Sequence, residues 1–166
     1  MLIVGASGAA DTHAAGYEAG VMAYERGAYP EALKEFRALA AHGKAPAEFM
    51  LGAMYFYGKG VKSSDALAAI WFQRAAAKGD SNAQLAFGSL HINGLGVRQD
   101  LVKAYMWLSV ASDSEAQGVR RQAILLRDEA AALMTADEIE EARRRADAWA
   151  PTRAGFSLME KSSESE

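Results

Sequence analysis

Cysteine is absent from the 166 residues, and with it go disulfides, zinc–thiolate centres and thiol nucleophiles. That absence does not assign a compartment. No apolar run approaches the roughly 20 residues that cross a bilayer, so no membrane span is expected. Counting 18 Lys+Arg against 21 Asp+Glu gives a net charge of −3, too even a balance to recruit nucleic acid or an anionic membrane. Only three prolines interrupt the chain, which leaves most of it free to be helical. What is present, 51% apolar and 23% charged residues, fits one soluble globular domain with a real core.

The first stretch, residues 1–13, reads as a leader outside the fold. A short apolar piece runs into Gly8-Ala9-Ala10 before Asp11, as at the end of a secretory signal, but without a basic start or a full apolar core. Two readings stand: an export signal whose beginning is missing, or a plain disordered leader. Localisation therefore stays open, with export ahead of the cytoplasm.

The dominant pattern is internal. Ala47, Gly52, Gly58, Gly60, Val61, Ala68, Trp71 and Ala75 reappear 36 positions later as Ala83, Gly88, Gly94, Gly96, Val97, Ala104, Trp107 and Ala111. A fixed offset of this kind marks a repeat, each copy being a helical pair that cannot bury its apolar face alone. In the first copy Leu51 and Tyr55 share a face, Gly58-Lys59-Gly60-Val61 breaks the helix, and Ser63 or Ser64 can cap the next one. Leu67, Ala68, Trp71 and Ala75 then form a buried stripe. The second copy sets Phe87 for Leu51, His91 for Tyr55 and Asp100 at the cap.

Ahead of the repeats, residues 14–44 form a shorter hairpin patterned by Gly20, Ala23, Gly27, Tyr29, Ala32, Phe36 and Leu39, with Pro30 in the first turn of its second helix. After them, residues 114–150 cap the array. Val119, Ala123, Leu126, Ala130 and Leu133 recur at helical spacing, and Thr135 with Glu138 predicts a capping box. Ile139, Ala142, Ala146 and Trp149 make the last stripe, opposite the pairs Glu140/Arg144 and Glu141/Arg145. The expected layout is one domain over 14–150, with repeats at 45–80 and 81–113, and a disordered tail over 151–166.

The pattern A-x3-[LF]-G-x2-[YH]-x2-G-x-G-V-x6-A-x2-W-x3-A resembles the Sel-one-like repeat (SLR) family, relatives of the tetratricopeptide repeat lengthened by a glycine loop. The resemblance extends to Met134-Thr135-Ala136-Asp137-Glu138-Ile139, a stretch similar to the closing helices of bacterial members. It implies an all-α, right-handed superhelix of about four hairpins, and a non-enzymatic adaptor that binds a peptide or helix of another protein. A secreted branch that binds or hydrolyses β-lactams carries a disulfide in each repeat, which the missing cysteines disfavour. Self-association into a structural scaffold, a homo-oligomer, is the other alternative.

In such a solenoid the first helices line the concave side. Residues on them but off the core stripe are the candidate partner-binding set: Tyr17, Val21 and Tyr24 in the first hairpin; Phe49, Ala53, Phe56 and Tyr57 in the first repeat; Leu85, Ser89, Ile92 and Asn93 in the second. Exposed aromatics at such positions anchor peptides or helices, although packing against neighbouring helices explains the same residues. The tail residues Phe156, Leu158 and Met159 could also occupy the groove.

No catalytic, metal or cofactor site is expected. His91 substitutes for a core tyrosine and reads as a packed residue, while His13 and His42 fall in the leader and at a helix end. Gly58-Lys59-Gly60 follows a helix and precedes Val61, so it lacks the strand, Ser/Thr and helix of a phosphate loop. Arg143-Arg144-Arg145 sits one turn from Glu140 and Glu141 and reads as a paired, solvated face.

Overall fold

The computed structural model describes residues 7–163, with side chains within 12–149. Among the described residues there are eight helices and no strand: α1 (Ser7–Glu25), α2 (Tyr29–Ala41), α3 (Ala45–Tyr57), α4 (Asp65–Ala77), α5 (Ser81–Asn93), α6 (Leu101–Ala111), α7 (Gln117–Ala131) and α8 (Ala136–Ser163). They form two compact units, one through Asp80 and one from Ser81. The division falls at the junction of the two repeats, because repeat arrays concentrate their contacts in neighbouring hairpins. Helical backbone also runs beyond both limits drawn from the sequence, from Ser7 and on to Ser163. Beyond Pro151, Leu158, Met159, Glu160 and Lys161 are all good helix formers; the side chains of Phe156, Leu158 and Met159 lie outside the described residues.

Each hairpin is built on one close approach. A Cβ on Gly20 would stand 2.7 Å from the Phe36 ring, one on Gly52 2.6 Å from Phe72, and one on Gly88 2.8 Å from Leu108. In every case a glycine on the first helix receives a large side chain of the second. The glycine and its partner are 20 positions apart in both repeats and 16 in the first hairpin, so that hairpin is the same device with a shorter connection.

The longer connection is specified residue by residue. Gly58 ends α3 in the left-handed region at φ 65° and Gly60 follows at φ 73°, as do Gly94 and Gly96 at 67° and 68°. The chain then doubles back, so that the Ser64 N–H donates to the Tyr55 carbonyl (2.9 Å) and the Asp100 N–H to that of His91 (3.0 Å). Ser64 Oγ accepts from the Leu67 N–H at 3.3 Å and Asp100 Oδ1 from the Lys103 N–H at 2.9 Å, completing both N-caps. Gly60 also packs on α2, where an added Cβ would meet Tyr29 Cβ at 2.6 Å.

The buried face of α4 is Ala68, Ala69, Phe72, Ala75 and Ala76. Leu67, expected in that stripe, is 41% exposed, because the arc is centred on the Phe72 that fills the Gly52 gap rather than on half-buried Trp71. Leu133 is likewise exposed: α7 ends at Ala131, so the helical spacing no longer applies to it. The capping box at Thr135 forms reciprocally, its N–H donating to Glu138 Oε2 (2.8 Å) and the Glu138 N–H to Thr135 Oγ1 (3.3 Å). On α8, Arg144 pairs with Glu141 rather than Glu140, alongside Arg145 at 2.7 Å. The hydrogen bond from Arg145 and the charge of Arg144 hold the Glu141 carboxyl below its usual range.

Gly52→Ala should cost about 1–3 kcal/mol through forced overpacking, read from the urea midpoint. In that background Phe72→Leu, which copies the second repeat, should restore part of the loss, a coupling measurable as a double-mutant cycle.

Candidate functional site

In the unit ending at Asp80, the first-helix candidates are mostly half-buried. Tyr17, Val21 and Tyr24 of α1 pack on the core of Ala23, Phe36, Leu51 and Met54. Tyr17 and Phe36 have ring centroids 5.8 Å apart, and Tyr24 meets Tyr29 edge-on at 5.4 Å. Burial foremost, and then the charge of Asp80, push the Tyr17 phenol up. On α3, Phe49 lies 5.7 Å from Phe72 and Phe56 makes an edge-to-face contact with Tyr57 at 5.1 Å. Ala53 is half-buried, and Tyr57 stands out at 65% exposure. Tyr17, Tyr24 and Phe49 are thus half-buried against core residues, while Phe56 and Tyr57 pack on each other nearer the surface.

In the unit from Ser81, Leu85 and Ile92 pack on Leu108, Ala111 and Ala123. Ser89 is half-buried, and its carbonyl accepts from Nδ2 of exposed Asn93 at 2.9 Å. His91 is buried, packed edge-on against Phe87 at 4.7 Å, with Nδ1 3.4 Å from the Arg98 carbonyl. His91 and Asn93, two positions apart in sequence, are therefore turned to different backbone carbonyls. Among the described residues no group of three or more His, Cys, Asp or Glu could hold a metal ion, and no helix is long and apolar enough to cross a membrane.

Two features escaped the sequence. Glu48 is fully buried near the start of α3, held by Lys78 Nζ at 2.7 Å on both oxygens and by Arg74 Nε at 3.0 Å. Lys78 also donates to the Gly43 carbonyl at 3.1 Å, and the Arg74 guanidinium lies 4.7 Å from the centre of the Trp71 ring. The available signal was the spacing: Arg74 and Lys78 share one face of α4, four residues apart, and Gln84, the residue 36 positions after Glu48, keeps that site polar. The second feature is a cavity of about 280 Å³ lined by His13, Ala14, Tyr17, Leu39, Lys44 and Pro46. His13, expected in the leader, lies on α1 with its ring 5.1 Å from that of His42.

Comparison with known proteins agrees with this geometry. The Sel1 repeat family matches residues 45–80 and 81–115, and the chain carries two Sel1 repeats within an all-α repeat fold. Among solved structures it is similar to c5321, described as a protective antigen present in uropathogenic Escherichia coli strains displaying an SLR fold. That match has 28% identity and a TM-score of 0.79 over 90% of this chain, which spans 32% of that protein's length. It is also similar to a Sel1 repeat protein from Oxalobacter formigenes, at 28% identity and a TM-score of 0.60, over 68% of this chain and 87% of that one. No curated protein matches the chain. Sel1 repeats commonly serve as protein-interaction modules and are not typically enzymatic.

Removing both cations in Arg74→Ala/Lys78→Ala strands the Glu48 carboxylate in the core and should cost about 3–5 kcal/mol. Glu48→Gln should cost less, since both cations are partly exposed and can rehydrate; chemical unfolding of the two variants ranks them. Burial foremost lowers His91 below its ordinary value of about 6.5, against an opposing bond to the Arg98 carbonyl. As pH falls below that value the unfolded chain takes up the proton first, so stability is full above it and is lost as pH falls through the lowered native pKa. His91→Tyr, the residue of the first repeat, should remove this contribution from a plot of melting temperature against pH.

Proposed function

We propose that this protein is a non-enzymatic adaptor whose first helices α1 and α3 hold a peptide or helix of another protein. The observation that carries the reading is the row of aromatic rings on those helices: Tyr17, Tyr24, Phe49, Phe56 and Tyr57 each pack one side against another ring of the same unit. Rings fixed in this way lose little conformational freedom on binding, and tyrosine adds a hydrogen-bonding tip to a large contact area. Interface hot spots are drawn from such residues. Leu85, Ser89, Ile92 and Asn93 are the corresponding candidates on α5.

The test uses the pair least involved in the core. Phe56→Ala/Tyr57→Ala in the full chain should leave helical content by circular dichroism unchanged. It should also abolish retention of the partner that the wild-type chain captures from extract and mass spectrometry identifies, each hot-spot ring contributing about 2 kcal/mol or more. Leu67→Ala, an exposed apolar position on α4, should leave retention unchanged. Undiminished capture by the double variant sinks the assignment.

A further inference from the structure

We propose that the cavity beneath His13, Tyr17 and Lys44 captures the C-terminal end of a partner chain, its α-carboxylate at Lys44 and His13 and its last apolar side chain on Leu39 and Pro46. This deepens the preceding reading, and rests on it, by naming the part of the partner that the unit ending at Asp80 receives. The volume, about 280 Å³, falls just below the range of drug-sized ligand sites and suits one side chain with its terminal group rather than a whole helix. Its walls divide by chemistry. Ala14, Leu39 and Pro46 are apolar, and His13 and Lys44 belong to the same lining, close enough for the charge of Lys44 to act on His13.

Lys44 is exposed, and the ion pairs found among the described residues do not include it. It precedes α3 without a side-chain capping bond, so its side chain has no structural duty there. The charges that act on His13 are both positive, from Lys44 and from His42, and with burial as the larger cause they lower its pKa. The carboxylate of Asp80 acts on Tyr17. Lys78 is already committed to Glu48 and the Gly43 carbonyl, which leaves Lys44 as the cation of this cavity that lacks a partner. An internal acidic side chain supplies an anion alone; a chain end presents carboxylate and apolar side chain on one residue, as this lining requires.

The experiment titrates the isotopically labelled full chain with acetyl-Ala-Ala-Leu bearing either a free or an amidated C-terminus, followed by NMR. The free acid should bind about tenfold or more tightly than the amide, as a charge-assisted contact implies, with shifts centred on His13, Tyr17 and Lys44. Lys44→Met should bring the acid down to the level of the amide, whereas Lys34→Met on the outside of α2 should not. Equal binding of acid and amide, an unaltered preference in Lys44→Met, or sodium acetate reproducing the full effect at equal concentration would each overturn the proposal. Phe56→Ala/Tyr57→Ala leaves the cavity lining intact, so failure of the aromatic surface and failure of the chain-end site are read separately.

Discussion

The structure depends on a contact made three times, the seating of one large side chain against one bare backbone. Phe36 on Gly20, Phe72 on Gly52 and Leu108 on Gly88 set how closely the two helices of each hairpin approach. Protein interiors are close-packed, so a gap at this point has few ways to be filled and an added methyl few ways to be accommodated. Everything else in a hairpin follows from that distance: which alanines are covered, where the second helix must start, and which first-helix residues remain at the surface. The glycine loop is the same constraint seen along the chain, since it lets α4 and α6 begin in the register that brings Phe72 and Leu108 onto their glycines.

Much of this was legible because repetition separates structural residues from the rest. Gly52, Gly58, Gly60, Ala68 and Ala75 recur at one offset and occupy equivalent places in both repeats, and the caps at Ser64, Asp100 and Thr135 form as their residue types predict. Leu67 departs from the expected stripe for a physical reason: the recurring residue is Trp71, whereas Phe72, which fills the gap at Gly52, is replaced by Leu108 in the second copy and so is no identity. A size match survives substitution where a residue identity does not. Leu133 failed differently, because helical periodicity carries no information past the end of its helix.

The candidate surface was only partly legible. Spacing placed Tyr17 and Phe49 on first helices, but not their contacts with Phe36 and Phe72, which join residues far apart in sequence. The cavity at His13 was invisible for the same reason, since Ala14, Leu39 and Pro46 come from three helices and none is remarkable alone. Glu48 was missed because an isolated acid near a helix start is ordinarily read as a favourable surface charge; its burial appears only when α4 brings Arg74 and Lys78 across it.

That ion triad has a further meaning when the two repeats are set side by side. They share the same glycine-and-large-residue spacing, so a hairpin that paired α3 with α6 would set Leu108 against Gly52 in place of Phe72. The places of Arg74 and Lys78 are taken in α6 and the turn after it by Val110 and Ser114, so the mispaired hairpin would leave the Glu48 carboxylate buried against a valine and a serine. A buried charge without a partner is far more costly than an imperfect apolar contact. The buried acid would thus penalise the wrong pairing of two copies built on one plan, giving a repetitive sequence one element that distinguishes its own second helix from the other.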